Sequence, residues 1–205
     1  VLYAPDVARG LIGHFIGAIR GGSQYRRASF LLEAAGQRVF PDWFALSERP
    51  HLLKALASAP FDHEGVTTRD RELVEAGVLL GYVLSTYSAR KLGLRTTGNA
   101  GGTHNLLVHG RGRDFDQMLQ LMDRGLYVTE LMGQGVNGVT GDYSRGAAGF
   151  WVENGVIVHP VHEVTVAGNL KFDVAPPDDQ VALGHAWRER YGARRVLLAA
   201  STREG

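Results

Sequence analysis

Two short stretches of this chain bring together side chains that could do chemistry. Asp142, Tyr143, Ser144 and Arg145 place a carboxylate, a phenol, a hydroxyl and a guanidinium at four consecutive positions. A guanidinium takes a carboxylate through two parallel N–H donors, so such a set can bind a peptide backbone or a carboxylate terminus. Asp142 and Arg145 can equally pair across a turn and hold strands in register. The second stretch is His159 and His162, with Glu163 beside them. Imidazoles and carboxylates are zinc ligands, but strand residues three apart point to opposite faces. Joint ligation there requires a bulge, which the adjacent Pro160 allows; a surface role is the simpler reading.

Other candidates are weaker. The stretches "GNAGGTHN" from Gly98 and "MGQGVNGVTG" from Met132 are rich in glycine. Neither carries the lysine and hydroxyl of a phosphate-binding P-loop, nor the strand, GxGxxG and helix of a dinucleotide site. Tight turns and close backbone approach account for these glycines more simply. His104, inside the first of them, can orient a neighbouring group, but a surface loop histidine is the simpler reading. No serine sits in a nucleophile elbow, and no pair of carboxylates has a defensible acid/base spacing.

Composition narrows the classes further. With 205 residues, 44% of them hydrophobic, the chain can build one sizeable core or two small ones. Its 22 basic and 21 acidic residues leave a net charge of +1, so no nucleic-acid partner is expected. The absence of cysteine rules out disulfides and thiolate metal sites in this chain. No apolar run reaches the ~18 residues of a membrane span and no basic-then-apolar leader opens the sequence. A cytoplasmic location is the expectation. The chain begins at Val1, so it can be a piece of something longer.

The elements that must position these residues follow from periodicity. Asp6 reads as an N-cap, and Val7, Leu11, Phe15, Ala18 and Ile19 share one helical face before Gly21-Gly22. Residues 26–36 read as a short helical or extended segment, and "RVFPDW" from Arg38 as a strand interrupted by Pro41. Leu73–Glu75 and Val78–Leu84 form a hairpin through Ala76-Gly77. A helix from Ser85 to Leu92 ends at Gly93, and a helix capped by Asp114 ends at Gly125. Asn154-Gly155 marks a type I′ hairpin turn. From Val128 to Ala167 the chain reads as strands joined by tight glycine turns. The tail changes to a proline-initiated amphipathic helix and an apolar strand from Val196 to Ala200.

The blocks "PHLLKALASAPFDHEGVTTR", "GYVLSTYSARKLGLRTTGNAGGTHN" and "GLYVTELMGQGVNGVTGDYSRGAAGFWVENGVIVHPVHEVTVAGNLK" together resemble the PmbA (TldE) branch of the TldD/PmbA family over about residues 1–171. The resemblance implies an α+β fold: a β-rich C-terminal domain with a few helices, over residues 1–167. It implies a subunit of a heteromeric metalloprotease, paired with a TldD-type subunit, that processes modified peptide precursors and degrades small unfolded proteins. In the TldD branch a His-Glu-x-x-x-His motif supplies zinc ligands and a general base. Here "GHFIGA" sets Gly13, His14 and Ala18 at those places, and the cysteine ligand of that branch is missing. The resemblance therefore implies no catalytic residue and no metal in this chain, with zinc held by the TldD-type partner. Glu130, Asp142, Tyr143 and Arg145 become candidates for peptide or subunit contacts.

Past "AGNLK" the chain departs from that branch. Residues 168–205 resemble the opening of the second half of the Kdo transferase family, which moves a sugar acid from a CMP donor to a lipid A precursor; the two families share the word "GNLK" at Gly168–Lys171. The expectation is a hybrid chain with a short appended helix-strand tail of α/β character. The alternative reading is a Kdo transferase fragment, or an inactive hybrid. Loss of the closing strands should leave a sheet edge uncovered.

Overall fold

The structure is a computed structural model that describes residues 1–110 and 113–171, together with the backbone of Leu197–Leu198. In chain order the elements are β1 (Leu2–Tyr3), α1 (Pro5–Ile19), α2 (Gly21–Tyr25), β2 (Ala45–Glu48), β3 (Arg71–Glu75), β4 (Val78–Leu79), α3 (Thr86–Leu92), β5 (Leu106–His109), α4 (Phe115–Met122), β6 (Gly125–Met132), β7 (Asp142–Glu153), β8 (Val156–Asn169) and β9 (Leu197–Leu198). Mixed sheets with few helices make this an α+β fold, as expected. The described residues divide into two compact units, one of residues 1–15 with those after 112, the other Ile16–Gly110. No helix among the described residues is long and apolar enough to cross a membrane.

The first unit is built on a five-stranded sheet of order β8-β7-β6-β1-β9. The central β6 pairs antiparallel with β7 and parallel with β1, which in turn pairs parallel with β9. The turn between β7 and β8 is the expected two-residue Asn154-Gly155, with φ of +52° and +71°, the values a type I′ turn demands at both positions. Glycines in the long hairpin serve close packing. A Cβ on Gly149 would lie 1.9 Å from the Tyr127 carbonyl oxygen, and one on Gly135 would lie 1.7 Å from that of Ser144. Helix α4 starts at a capping box: Asp114 accepts from the Gln117 N–H at 2.8 Å, and Gln117 answers from the Asp114 N–H at 3.2 Å. Met118 and Leu119 then pack with Leu2 and Val152 in a buried cluster. Among the described residues β8 lies at a sheet edge, with Val156, Ile157 and Val158 exposed.

In the second unit an antiparallel sheet of order β4-β3-β2-β5 packs on aromatic and aliphatic side chains. Phe40 and Phe44 stack at 4.1 Å, and Leu46, Leu73, Val74 and Leu79 are fully buried. Helix α3 begins one residue after the expected start, with Ser85 as its N-cap and Ser88 completing a capping box, and ends at the expected Gly93 in the left-handed conformation.

Several expectations need correction. Asp6 is not the N-cap of α1; Pro5 opens that helix, its fixed φ already helical, and Asp6 lies in the first turn, paired with Arg9 at 2.8 Å. Gly21-Gly22 does not simply end a helix: Arg20 is extended, and a new short helix begins at Gly21. Residues 26–36 form turns, organised by the buried Gln24, whose amide donates to the carbonyls of Ala18 and Leu31. "RVFPDW" contributes one bridge, Arg38 to Val78, because Pro41 cannot donate to a ladder. The second arm of the Ala76-Gly77 hairpin stops at Leu79 rather than Leu84. Helix α4 stops at Asp123, whose φ is +57°, and Gly125 already starts β6. Of the tail, the Pro-initiated helix lies outside the described residues. The apolar strand from Val196 to Ala200 is represented by β9.

Candidate functional site

In the first unit, helix α1 buries Leu11 and Phe15 and leaves His14 half-buried on the same element. Strand β7 alternates, so Asp142 and Ser144 are exposed while Tyr143 turns inward with Arg145. Tyr143 meets His14 edge to face, their ring centroids 6.2 Å apart at 74°. Tyr3, from β1, completes the group. Burial pushes the Tyr3 phenol well above its ordinary range, and the neighbouring Tyr143 phenol pushes it further, against the lowering effect of Arg145. Burial likewise raises the Tyr143 phenol, opposed by Tyr3 and by the Arg145 guanidinium. His14 is held below the usual imidazole range, first by burial and then by the charge on Arg145. Tyr3 and Arg145 both interact with the Tyr143 phenol, but among the described residues neither the Tyr143 hydroxyl nor the Arg145 Nε, both buried, has a hydrogen bond of normal geometry.

This arrangement does not fit a zinc ion. A hydrolytic zinc needs about three protein ligands, neutral imidazoles and carboxylates or thiolates, around an open position. Here one imidazole stands beside a guanidinium whose charge repels a cation and two phenols that burial keeps protonated. Among the described residues no three His, Cys, Asp or Glu side chains are grouped to hold a metal. The group instead presents N–H and O–H donors and one positive charge, the chemistry of an anion contact.

The remaining candidates are dispersed. Ala18, one turn beyond His14 on α1, is buried in the helix's apolar face, and Gly13 is exposed. Asp142 acts in a loop clamp: its Oδ2 accepts from the Thr140 hydroxyl at 2.6 Å and its Oδ1 from the Asn169 amide at 2.8 Å. Strand alternation sets it on the face opposite Arg145. Glu130 is exposed on β6 across from Ala148, just after a register shift. The bulge required for His159 and His162 does exist: Val161 pairs with Gly149, Val164 pairs with Ala147, and Glu163 has φ of +56°. His159 donates from Nδ1 to the Pro160 carbonyl at 3.1 Å.

The second unit holds a polar network that sequence reasoning missed. Glu48, at the end of β2, is 2% exposed. Its Oε2 accepts from Arg71 Nε at 2.8 Å, and its Oε1 from the Asn99 amide and the His104 N–H, both at 2.7 Å. Arg71 also donates to the Tyr82 carbonyl. Thus one carboxylate pins the glycine loop to the sheet. From the other side, Asp62 accepts backbone N–H bonds from Glu64, Val66 and Ala100. Burial opposes ionisation of Asp62, but these donors and His63 hold its carboxyl below the usual range. The His104 side chain is 9% exposed, its Nδ1 3.9 Å from Glu48, so it is not the surface loop histidine of the simpler reading but part of this network. The available signal was a Ser-Glu pair inside the apolar run "FALSERP", since a carboxylate among apolar neighbours must find donors.

Comparison with known proteins brings these features together. Residues 1–174 match the family model described as the PmbA/TldA metallopeptidase C-terminal domain. The chain is 60% identical over 171 residues to the metalloprotease PmbA of Escherichia coli O157:H7, an alignment covering 83% of this chain and 38% of that protein. A Bacteroides thetaiotaomicron crystal structure, named as a modulator of DNA gyrase, superimposes with a TM-score of 0.78 at 33% identity, covering 83% of this chain and 39% of that one. TldE from Thermococcus kodakarensis gives 0.72 at 26% identity, covering 83% and 41%. The chain thus spans about two fifths of the length of these relatives.

Proposed function

This chain belongs to the PmbA/TldA metallopeptidase C-terminal domain family, and on that premise we propose that it is the metal-free member of a two-subunit peptidase. Zinc and the hydrolytic step belong to a TldD-type partner in this reading, and the substrates are modified peptide precursors and small unfolded proteins. The observation that carries it is the surrounding of His14. Gly13, His14 and Ala18 stand where the resemblance sets the zinc motif, and His14 meets Tyr143 and the charge of Arg145 instead of further ligands.

Within that reading Arg145 and Tyr143 are the residues best suited to a peptide carboxylate or a subunit contact, because among the described residues each carries a buried polar atom without a hydrogen bond of normal geometry. Glu130, exposed at its bulge, suits a contact with the partner subunit. Asp142 supports them by closing its loop. Residues 168–205 are read as a Kdo-transferase-like segment that adds no transferase activity; saturable binding of a CMP-sugar would argue for the transferase reading instead.

The test is co-purification with a TldD-type subunit followed by zinc-dependent cleavage of a peptide substrate. A complex that cleaves, and whose cleavage survives His14→Ala, supports the proposal. A soluble, folded chain that forms no complex, or a complex whose cleavage is abolished by His14→Ala, overturns it.

A further inference from the structure

The second unit contains a cavity of about 530 Å³ in a size range typical of small-ligand sites. Its wall includes Arg20, Arg26, Ser23, Ser85, Ser88 and Asn99, together with glycines of the 98–105 loop, and no carboxylate. Arg9, Arg27, Arg49, Arg71 and Arg124 each meet an acidic side chain. Arg20 and Arg26 meet none among the described residues. Both arginines are exposed residues at the cavity wall, and Arg26 has partners for its guanidinium. Arg26 donates from Nη1 to the Tyr25 hydroxyl at 3.1 Å and lies over that ring, 5.2 Å from its centroid. A Cβ on Gly102 would come within 3.0 Å of Arg20 Nη2, and one on Gly22 within 3.2 Å of Arg26 Nη2, so each glycine leaves room for an arginine head.

We propose that this cavity is an oxyanion site in which Arg20 and Arg26 bind a carboxylate or a phosphate. Two like charges facing one concave space without a counter-charge raise the local positive potential, and a planar fork of donors matches either anion. The hydroxyls are largely committed elsewhere: Ser23 donates to the Gly17 carbonyl and Ser88 to that of Ser85. Recognition therefore falls to the guanidiniums. The Asn99 amide donates to Glu48 and to the Gly102 carbonyl, so the Glu48 network holds the cavity wall in shape. None of these residues belongs to the His14 group, and the inference stands whether or not the chain pairs with a TldD-type subunit.

The experiment is an NMR titration of the whole chain with inorganic phosphate and, separately, with succinate, following the amides of Gly22, Ser23, Gly101 and Gly102. Saturable shifts confined to these amides are expected with at least one probe. Arg20→Ala/Arg26→Ala should weaken binding by at least about tenfold, the loss of two charge-assisted contacts, with an unchanged thermal midpoint. Arg95→Ala, which removes an exposed cation outside the cavity, should leave binding as it was, and Arg20→Lys/Arg26→Lys should retain part of it. Tighter phosphate binding identifies a phosphate ligand, and tighter succinate binding a carboxylate. Absence of saturable shifts with both probes, or shifts that persist in the double alanine variant, overturns the proposal.

Discussion

The ring of Tyr143 stands edge-on to the imidazole of His14, 6.2 Å between centroids. That contact puts a buried phenol against the one imidazole of the group and brings Arg145, two residues along the same strand face, into electrostatic range of it. Family membership draws attention to a metal here, and the side chains present describe an anion contact.

A first consequence concerns pH. His14 protonates less readily in the folded chain than its ordinary value, because of burial and then of Arg145. Such a group contributes stability that is fully present above its unfolded pKa of about 6.5 and is lost as pH falls through the folded value. Acidification from pH 7 to 5 should therefore destabilise the wild-type chain more than His14→Gln. In a histidine NMR titration, Arg145→Met should move His14 upward. A wild-type His14 that titrates at or above 6.5 contradicts this account.

Among the described residues the Tyr143 hydroxyl has no hydrogen-bond partner of normal geometry. Tyr143→Phe should therefore change the unfolding free energy by less than about 1 kcal/mol, because no good bond is lost. A loss above about 2 kcal/mol in urea denaturation would show instead that the hydroxyl is firmly partnered in solution.

Glu48 is the opposite case. Removing it strands Arg71 and releases Asn99 and His104 together. Glu48→Ala should cost about 3 to 5 kcal/mol, the loss expected on breaking a buried ion pair from one side. Hydrogen exchange of the amides from Asn99 to His104 should accelerate in parallel. Unchanged exchange there would mean that the loop is held by something other than this carboxylate.

Two glycines make a controlled pair. Gly149 has the Tyr127 carbonyl 1.9 Å from where a Cβ would sit, whereas Gly138 has nothing within 4 Å. Gly149→Ala should destabilise by about 3 kcal/mol through overpacking, and Gly138→Ala should stay within about 0.5 kcal/mol. Equal thermal midpoints for the two variants would remove the close-packing explanation.

What the sequence disclosed was mostly local. Asn154-Gly155, the Asp114 cap and the terminating Gly93 owe their conformations to the residue type itself, a capping carboxylate or a glycine free to take positive φ, so they were legible one residue at a time. β2 and β5 were not. "ALSE" buries Ser47 and Glu48 alongside Leu46, which erases the apolar and polar alternation that marks a half-buried strand. Burial of Glu48 depends on Arg71, Asn99 and His104, from 23 to 56 positions away. Tyr143 and Arg145 were noticed as chemistry, but their company was not: Tyr3 and His14 reach them through the pairing order of the sheet and through α1. Asp142, adjacent in sequence, went to the other face because a strand alternates.

Whether the His14 group holds a metal is read from the metal content of the folded chain. The purified chain would be equilibrated with a small molar excess of zinc and desalted, and bound metal measured by mass spectrometry beside His14→Ala. No retained zinc above the level of that variant is expected. One zinc per chain, lost on His14→Ala, would contradict that expectation and would make this subunit a metal centre in its own right.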